Sequence, residues 1–442
     1  MMSVECVRYL DNPLSASRTA PGAPRWPSPA YSGLIGNVLP EFLSFSRFPP
    51  FPKPESTAAG QPFPSLSETH AYLREFASPL FARGCIRLNT QVLSVDELEG
   101  GRGWRVHMRC YRNAGFDEVE EIWDAVVVAV AFYDNPVFPP TPGVDELRRK
   151  DLGRHAQGWR GPEGYEGQRI LVIGNANSGN DIAAQLATVA GSVFQSIRHP
   201  NFPGFPSLPD SRIARVAPVK EYTVCIVDSL EGNIRHVVDA HLTDNTVIPD
   251  LDCVLFGTGY LPFPDFISVS DAEDKLVPLV STDISPPRVP SLHRYILYAH
   301  NPSLAFVGTA VACYTPLTIA DICSTWLALA WSGAIAYPTD ASTLLEFEQA
   351  RLEAVAAGRR QMEAGFSNAT EASSLVSYGV LGTFEEEFAS ALREEVVKAR
   401  PELDEVLPRW NPERTAVREA MFDMKRAALE LERERTRGTV AQ

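Results

Sequence analysis

The spacing of hydrophobic and polar positions changes several times along the chain and predicts a mixed α/β fold. Residues 67–82 repeat apolar positions at helical spacing, and Ser67 is placed to cap that helix at its N-terminus. Short apolar runs predict the strands that follow, over residues 86–95, 104–109 and 125–130. A proline-rich stretch over residues 135–143 then ends the strand pairing.

The clearest change of pattern lies between residues 168 and 198. The continuous apolar run Arg-Ile-Leu-Val-Ile at 169–173 is typical of a strand that is covered on both faces of a sheet. Helical spacing follows over 178–190, and a second apolar strand follows over 192–197. This order predicts a βαβ unit. Further strands are predicted near residues 222–227, 236–240 and 253–256.

The two ends of the chain have weaker patterns. Residues 1–66 are rich in Pro, Ser and aromatic residues, and we expect an ordered irregular segment because Tyr31, Phe42, Phe45 and Phe48 need burial. The apolar run over 322–337 is shorter than the roughly 20 residues that span a bilayer, so it predicts a buried helix. Residues 383–437 are highly charged and predict a helix with a solvated face.

Composition restricts the classes of function. The 442 residues include 40 Lys and Arg against 55 Asp and Glu, which gives a formal net charge of −15. This acidic balance argues against a nucleic-acid partner and against stable binding to an anionic membrane surface. The seven cysteines are scattered, and together with the lack of a signal pattern they favour reduced thiols in a cytoplasmic protein without a transmembrane segment. His and Cys lack metal-ligand spacing, so no metal site is predicted.

A glycine turn lies at the centre of the predicted βαβ unit, with the sequence Gly174-Asn175-Ala176-Asn177-Ser178-Gly179. Dinucleotide-binding turns need small residues for a tight bend, for close approach to the pyrophosphate and for close packing of helix on strand. Gly174 and Gly179 meet the first and third needs, and Ala176 stands where the second glycine is usual. A tight turn of purely structural purpose is the alternative. The candidate contacts are Gly174, Asn175, Asn177, Ser178, Gly179, Asn180 and Asp181, the last as an acid in the first helical turn.

The end of the second strand bears on the choice of dinucleotide. NAD sites use an acidic residue about 20 positions after the turn, whereas NADP sites use an arginine. Arg198 follows Gly174 by 24 positions, and between Ile182 and Lys220 the one acidic residue is Asp210, in a proline-rich loop. The pattern therefore favours NADPH, with Arg198 on the 2′-phosphate. The alternative is that Arg198 is an ordinary surface residue.

Several stretches together resemble the flavin-containing monooxygenase family, and the resemblance runs through most of the chain. The turn at 172–183 is similar to the family's NADPH turn, and residues 31–37 (Tyr-Ser-Gly-Leu-Ile-Gly-Asn) are similar to a segment whose Asn faces the flavin. His155-Ala-Gln-Gly-Trp159 resembles the end of the family's linker fingerprint. Residues 255–260 (Leu-Phe-Gly-Thr-Gly-Tyr) resemble its Ala-Thr-Gly-Tyr segment.

The resemblance implies an α/β fold of two dinucleotide-binding (Rossmann-like) domains, with the NADPH domain inserted in the FAD domain. Residues 1–160 would form the first portion of the FAD domain, 161–260 the NADPH-binding domain, and 261–442 the remainder with the C-terminal helices. The implied flavin contacts are Gly36, Asn37, Val92 and Thr258. Asn37 is the implied catalytic residue, because a neutral amide can hydrogen-bond the flavin edge without supplying a strong acid.

The chain also departs from the family's pattern. Residues 1–30 supply no strand, GxGxxG turn and helix for the ADP part of FAD, so we expect an N-terminally truncated FAD domain that lacks its first βαβ unit. Residues 129–131 (Ala-Val-Ala) replace a second Ala-Thr-Gly-like segment, and one residue rather than three separates Gly153 from His155. With these departures, we expect the chain to retain little FAD.

The resemblance implies an FAD- and NADPH-dependent monooxygenase that transfers one oxygen atom of O₂ to a small lipophilic substrate through a C4a-hydroperoxyflavin. The alternative is a truncated, flavin-less remnant that binds NADPH or a protein partner without catalysis. The sequence leaves open the substrate, the choice between heteroatom oxygenation and Baeyer–Villiger insertion, and whether the chain forms a homo-oligomer.

Overall fold

The computed structural model describes residues 4–5, 29–31, 33–112, 115–130, 132–198, 207–228, 234–312, 315–363 and 377–440. The α-helices are α1 (Leu66–Ala82), α2 (Val144–Arg149), α3 (Asn177–Leu186), α4 (Pro316–Trp331), α5 (Ala341–Glu363), α6 (Glu385–Ala399) and α7 (Pro412–Val440). Short 3-10 helices lie at Pro40–Phe42, Glu55–Ala59, Glu99–Gly101, Ala156–Gly158, Gly382–Phe384 and Pro401–Leu403.

The strands of the first half of the chain are β1 (Val4–Glu5), β2 (Ile86–Arg87), β3 (Thr90–Glu97), β4 (Trp104–Arg112), β5 (Gly115–Trp123), β6 (Val126–Val128), β7 (Gly153–His155), β8 (Arg169–Ile173), β9 (Ser192–Ser196) and β10 (Ile213–Val216). Those of the second half are β11 (Val219–Asp228), β12 (Ile234–Leu242), β13 (Val247–Leu251), β14 (Cys253–Phe256), β15 (Ile267–Ser270), β16 (Leu276–Pro278), β17 (Leu292–His293), β18 (Leu297–Tyr298) and β19 (Leu304–Phe306). The mixed α/β class expected from the sequence is confirmed.

The chain folds into two units. The first unit comprises Met1–Trp26, Ile35–Phe132 and Pro262–Ala420, and the second comprises Pro27–Leu34, Tyr133–Leu261 and Met421–Gln442. The second unit thus contains the whole stretch 161–260 that the sequence assigns to NADPH, and it also includes α2 and β7, which precede residue 161. The assignment of cofactor domains to 1–160, 161–260 and 261–442 stays a prediction.

Besides the two-stranded parallel pair β1-β2, the described residues of the first unit form two larger sheets and a helical region. One sheet has the strand order β16-β15-β3-β4-β5, and the other has the order β17-β18-β19-β6. Apolar side chains of these sheets share one core, which includes the fully buried Trp104 and Phe306. A second core surrounds α4, where Ile322 and Trp326 are almost completely buried against α6. The apolar run expected to be a buried helix is therefore confirmed as one, although the helix begins earlier and ends at Trp331.

The second unit is built around a parallel sheet with the order β10-β9-β8-β14-β7. Side chains of β8 alternate between its two faces, with Leu171 in one apolar core and Ile170 and Val172 in another. Both faces of the strand are covered, as the continuous apolar run predicts. The antiparallel strands β11, β12 and β13 add a sheet whose inward side chains, among them Val238 and Leu251, join the first of these cores.

Several element boundaries differ from those expected. Helix α1 is capped by Ser65 rather than Ser67, because the Ser65 side chain accepts from the Glu68 N–H while the Glu68 carboxylate accepts from the Ser65 N–H. Strand β5 was not predicted, because its sequence is rich in acidic residues and is largely exposed. The charged segment 383–437 is divided into α6 and α7 by a 3-10 turn that begins at Pro401.

The aromatic residues of the irregular N-terminal segment, which were expected to be buried, are buried to different degrees. Tyr31 and Phe42 are buried, whereas Phe45 and Phe48 are half-buried. The ring of Phe45 stacks on that of Phe76 with 4.2 Å between centroids. Across the described part of the chain, no helix combines the length and the apolar character needed to cross a membrane. The same residues contain no group of three or more His, Cys, Asp or Glu arranged to hold a metal ion.

Candidate functional site

The carboxyl ends of the parallel strands in the second unit meet at one edge of its sheet. Gly174 follows β8, Gly257 follows the neighbouring β14, and His155 ends β7 on the far side of β14. After β8 the chain passes through α3 and enters β9, which pairs with β8 on the side opposite to β14. A gap between neighbouring chain connections therefore lies at the ends of β8 and β14. Ligands of open parallel sheets bind at such a point, outside the carboxyl ends of the strands.

Three glycines, Gly174, Gly179 and Gly257, are packed against one another at this edge. Gly174 has φ +106°, and a Cβ atom there would lie 2.7 Å from the carbonyl oxygen of Gly257. A Cβ atom on Gly179 would overlap the carbonyl of Gly174, and one on Gly257 would lie 3.1 Å from the Cα of Gly179. Side chains at these positions would push α3 away from the two strands. Gly257 was absent from the predicted site, although it follows an apolar strand as Gly174 does.

Buried amides hold the turn in shape. Gln195 is 3% exposed, and its Nε2 donates to the Gly174 carbonyl at 2.9 Å and to Asn180 Oδ1 at 3.0 Å. Asn180 Nδ2 in turn donates to the Asn175 carbonyl at 2.9 Å. Asn180 therefore supports the turn from inside the protein. Gln195 was not predicted as a site residue. A polar residue inside an otherwise apolar strand does indicate a buried hydrogen-bond partner, so the signal was present in the sequence.

The N-terminus of α3 is open toward the same edge. Its N-cap residue Ala176 has an extended backbone and provides no side-chain hydrogen bond to the first helical N–H groups. Ala176, Asn177 and Ser178 are all exposed. Uncapped N–H groups and the positive end of the helix dipole are suited to an anion such as a pyrophosphate.

Arg198 and Asp181 occupy different surroundings. Arg198 is exposed two residues beyond the end of β9, at the same edge of the sheet as the turn. Asp181 is the fifth residue of α3, so the expectation that it is an acid of the first turn is wrong. Its carboxylate is hydrogen-bonded by the side chain of Gln185 and lies near Lys425, and burial raises its pKa.

His155 is enclosed by aromatic rings at the end of β7. Its ring centroid lies 5.6 Å from that of Phe138 and 5.1 Å from that of Tyr260. Nδ1 accepts a hydrogen bond from the Gln157 N–H at 3.1 Å, while the buried Nε2 has no partner of good geometry within the described residues. Burial lowers the pKa of His155 to about 4, so the imidazole is neutral at physiological pH.

Thr258 ties the segment after β14 to the segment before α2. Its hydroxyl donates to the Val137 carbonyl, and the Val137 N–H donates to the Gly259 carbonyl at 2.9 Å. Thr258 is one of the flavin contacts that the resemblance implies, and its hydroxyl is engaged within the protein.

The other flavin contacts expected from the sequence, Gly36, Asn37 and Val92, belong to the first unit. The Gly36 N–H donates to the Pro64 carbonyl at 2.8 Å, and a Cβ atom at Gly36 would lie 3.1 Å from that oxygen. Asn37 is half-buried beside it. Val92 lies on β3 and packs against the core of its own unit. Sequence adjacency places Gly36 and Asn37 together, and their roles stay predictions.

Comparison with known proteins identifies similar sequences. Residues 27–202 match the family described as flavin-binding monooxygenase-like. The chain is 28% identical over 320 residues to the flavin-containing monooxygenase FMO GS-OX3 of Arabidopsis thaliana, which covers 71% of this chain and 62% of that protein. It is 26% identical over 337 residues to FMO GS-OX-like 2 of the same plant, covering 74% and 65%. The chain therefore spans less than two thirds of the length of these relatives.

Solved structures share the fold. S-allyl-L-cysteine S-oxygenase from Allium sativum superposes with a TM-score of 0.59 at 22% identity, covering 90% of this chain and 85% of that one. Cyclohexanone monooxygenase from Rhodococcus sp. Phi1, bound to NADP⁺, superposes with a TM-score of 0.51 at 13% identity, covering 84% and 89%. At these identities the likeness extends to the fold, which is the α/β architecture of flavin monooxygenases.

Proposed function

We propose that this chain is a monooxygenase of the flavin-containing monooxygenase type, which it resembles in sequence, and that it uses NADPH and FAD to transfer one oxygen atom of O₂ to a small organic substrate. The observation that carries the proposal is the glycine turn. Gly174, Gly179 and Gly257 bring a strand, a helix and a second strand into backbone contact at the ligand-binding edge of a parallel sheet. A structural turn alone would not require the open helix N-terminus beside it.

The residues around the turn fit a dinucleotide. The uncapped N-terminus of α3 would receive the pyrophosphate, with Asn175, Asn177 and Ser178 at the mouth of the turn. Arg198 would pair with the 2′-phosphate, because a guanidinium forms strong charge-assisted hydrogen bonds with phosphate oxygens. NADPH is accordingly the dinucleotide proposed for the second unit. The solved relative from Rhodococcus binds NADP⁺, which supports this choice.

FAD is the second cofactor proposed, since the matching family is described as flavin-binding. When bound, it would supply the redox chemistry that amino-acid side chains lack. The contacts proposed within the first unit are Gly36, Asn37 and Val92. The Asn37 amide would hydrogen-bond the reacting edge of the flavin and offer no strong acid there. The protein would also keep water from that edge.

The substrate is proposed to be a small lipophilic molecule. The similar proteins include an enzyme named for S-oxygenation and one named for cyclohexanone, so the proposal covers attack at a soft heteroatom and attack beside a ketone. A thioether and a cyclic ketone of similar size, offered in turn to the flavin-loaded chain, would separate heteroatom oxygenation from insertion beside a carbonyl. The products identify the reaction: a sulfoxide in the first case and a lactone in the second.

The test of the proposal uses the full 442-residue chain. NADP⁺ is titrated by calorimetry, the flavin content is read from the visible absorbance spectrum after incubation with FAD and gel filtration, and O₂ uptake is followed with NADPH. We expect nucleotide binding. Retained flavin with NADPH-dependent O₂ consumption would support the monooxygenase proposal and would contradict the expectation, drawn from the sequence, that this chain retains little FAD. Nucleotide binding without flavin retention would replace the monooxygenase proposal by that of a dinucleotide-binding protein. Absence of nucleotide binding would show that the glycine turn is structural.

A further inference from the structure

Three polar residues are buried together at the end of β9. Asn180, Gln195 and Ser196 have 8%, 3% and 6% of their surface exposed, and all three belong to the second unit. Gln195 lies on the same face of β9 as Val193, two positions earlier, which packs in the apolar core that also holds Ile182 of α3. An apolar side chain at position 195 would fill this space without the free-energy cost of removing an amide from water. The buried amide therefore indicates a requirement other than packing.

The Gln195 amide joins β9 to two other segments of the second unit. Its Nε2 donates to the Gly174 carbonyl at 2.9 Å and to Asn180 Oδ1 at 3.0 Å, so both of its N–H groups are used. Asn180 continues this series of hydrogen bonds, because its Nδ2 donates to the Asn175 carbonyl at 2.9 Å. Side-chain hydrogen bonds therefore link β9 to the turn that follows β8 and to the first turns of α3.

Ser196, the last residue of β9, is held from two sides. Its carbonyl accepts a hydrogen bond from the Gly174 N–H at 3.1 Å, and its hydroxyl donates to the Ala217 carbonyl at 3.1 Å. Arg198 follows two positions later and is exposed. The backbone that presents the Arg198 side chain is therefore fixed to the glycine turn on one side and to the segment after β10 on the other.

We propose that Gln195 and Ser196 are positioning residues that determine nucleotide specificity. Their hydrogen bonds fix the distance between Arg198 and the open N-terminus of α3, and this fixed distance makes the second unit prefer NADP⁺ to NAD⁺. The role rests on the proposed function, because it concerns the same nucleotide site. Both residues are assigned to positioning and not to nucleotide contact, since both are buried within the protein.

The distance matters because one ligand must reach both groups at the same time. The pyrophosphate would lie at the N–H groups of α3, and the 2′-phosphate would lie at Arg198. A dinucleotide gains the second contact in full when the protein already holds the two groups at the matching distance, whereas ordering a loose strand end would reduce that gain. NAD⁺ lacks the 2′-phosphate and depends on the turn alone. Loss of the Gln195 hydrogen bonds should therefore weaken NADP⁺ binding more than NAD⁺ binding.

The experiment measures the dissociation constants of NADP⁺ and NAD⁺ by calorimetry for the full wild-type chain and for Gln195→Met, whose side chain has a similar length but cannot donate a hydrogen bond. Gln168→Met is the matched control, because the Gln168 amide donates to the Gly164 carbonyl at 2.8 Å just before β8, at the opposite end of the sheet. In Gln195→Met we expect NADP⁺ to lose about three- to tenfold more affinity than NAD⁺. The control should keep the wild-type ratio. Equal losses for the two dinucleotides in Gln195→Met, or unchanged affinities, would overturn the specificity role.

The variant Arg198→Ala tests whether Gln195 acts through the arginine. In a chain that already carries Arg198→Ala, adding Gln195→Met should change the affinities for NADP⁺ and NAD⁺ by the same factor, because no guanidinium remains to be positioned. A further loss that is selective for NADP⁺ in the double variant would overturn the action of Gln195 through Arg198.

Wild type itself separates this role from the function on which it rests. If wild type binds neither dinucleotide, the proposed function fails and the specificity role fails with it. If wild type binds both with equal affinity, the dinucleotide site stands and the specificity role alone is overturned. Hydrogen exchange of the β8 and β14 amides shows whether Gln195→Met keeps its fold. If it does not, Ser196→Ala, which removes only the hydroxyl bond to Ala217, decides: a loss selective for NADP⁺ supports the role, and an equal or absent loss overturns it.

Discussion

Single glycines decide whether the strands β8 and β14 and the helix α3 can approach one another at the glycine turn. Position 174 requires glycine because its φ is positive. Gly179 and Gly257 have no positive φ, and these positions require glycine because a Cβ atom there would approach neighbouring backbone atoms too closely. A methyl group on Gly179 would overlap a backbone carbonyl, which cannot move away as the end of a flexible side chain can. The turn is therefore sensitive to the smallest substitution.

Gly179→Ala should abolish measurable NADP⁺ binding while leaving the far-ultraviolet circular dichroism close to that of wild type. The added Cβ forces α3 away from Gly174 and displaces the N–H groups at the mouth of the turn. Gly158→Ala is the matched control, because a Cβ there would meet open space in the same unit. Wild-type NADP⁺ affinity in Gly179→Ala, measured by calorimetry, would show that the turn does not hold the nucleotide.

Arg198→Ala should weaken NADPH binding and leave NADH binding almost unchanged. The two dinucleotides differ by the 2′-phosphate, and a charge-assisted contact to it contributes about 1.5–3 kcal/mol, which is a ten- to hundredfold change in affinity. Lys220→Ala, the loss of an exposed cation from β11, controls for the change in net charge. An equal loss for both dinucleotides would remove Arg198 from the 2′-phosphate.

At the level of elements, the end of β7 carries a histidine that folding keeps neutral. His155 lies between the rings of Phe138 and Tyr260, and its pKa falls from 6.5 to about 4. The unfolded chain takes up a proton near pH 6.5 and the folded chain does not. The stabilisation that depends on neutral His155 is therefore complete above pH 6.5 and is lost as the pH falls from 6.5 toward 4, by an amount on the order of 3 kcal/mol.

His155→Asn should flatten this pH dependence, because asparagine does not titrate and its carbonyl can accept from the Gln157 N–H in place of Nδ1. The measurement is the free energy of opening from hydrogen exchange of the β7 and β14 amides at pH 7 and pH 5. His241→Asn, at a half-buried histidine of the same unit that lies near the Thr223 hydroxyl, is the control. Equal pH dependence in wild type and His155→Asn would show that His155 does not resist protonation in the folded state.

The elements that the sequence predicted well are those whose pattern is set by local packing. Strand β8, helix α3, strand β9 and strand β14 were located to within a few residues, because both faces of the strands are buried and the glycines mark the turn. Strand β5 was missed because it is held by backbone pairing with β4 and by cross-strand pairs such as Arg109–Glu118, which a sequence period does not reveal.

The candidate site was predictable to the same extent and for similar reasons. Gly174 and Gly179 were found from their spacing, whereas Gly257 and Gln195 act through contacts with residues distant in sequence. The sequence placed Asp181 in the first turn of α3. The helix begins at Asn177, which makes Asp181 its fifth residue and places it beyond that turn. The burial of Met421 and Ala428 on α7 could not be recognised from the sequence, because most of their neighbours are charged.

At the scale of the whole molecule, the residues proposed for the two cofactors are distributed unequally between the units. The glycine turn and Arg198 belong to the second unit, and Gly36, Asn37 and Val92 belong to the first. A ligand that binds the folded protein stabilises the part that it contacts, by about 2.7 kcal/mol when its concentration is 100 times its dissociation constant. The distribution of that stabilisation along the chain can be measured residue by residue.

NADP⁺ should accordingly slow hydrogen exchange most strongly in the second unit, at the amides of the glycine turn, of the first turn of α3 and of Gly257. These N–H groups lie at the sheet edge where the strands end. No side chain caps the start of α3, so without nucleotide its first N–H groups should exchange quickly. NAD⁺ at the same concentration is the control and should protect them less, since it lacks the phosphate proposed for Arg198. If NADP⁺ instead protects residues 36–37 and 90–97 while the turn exchanges as before, the nucleotide binds to the first unit. The glycine turn would then serve only to pack α3 on β8 and β14.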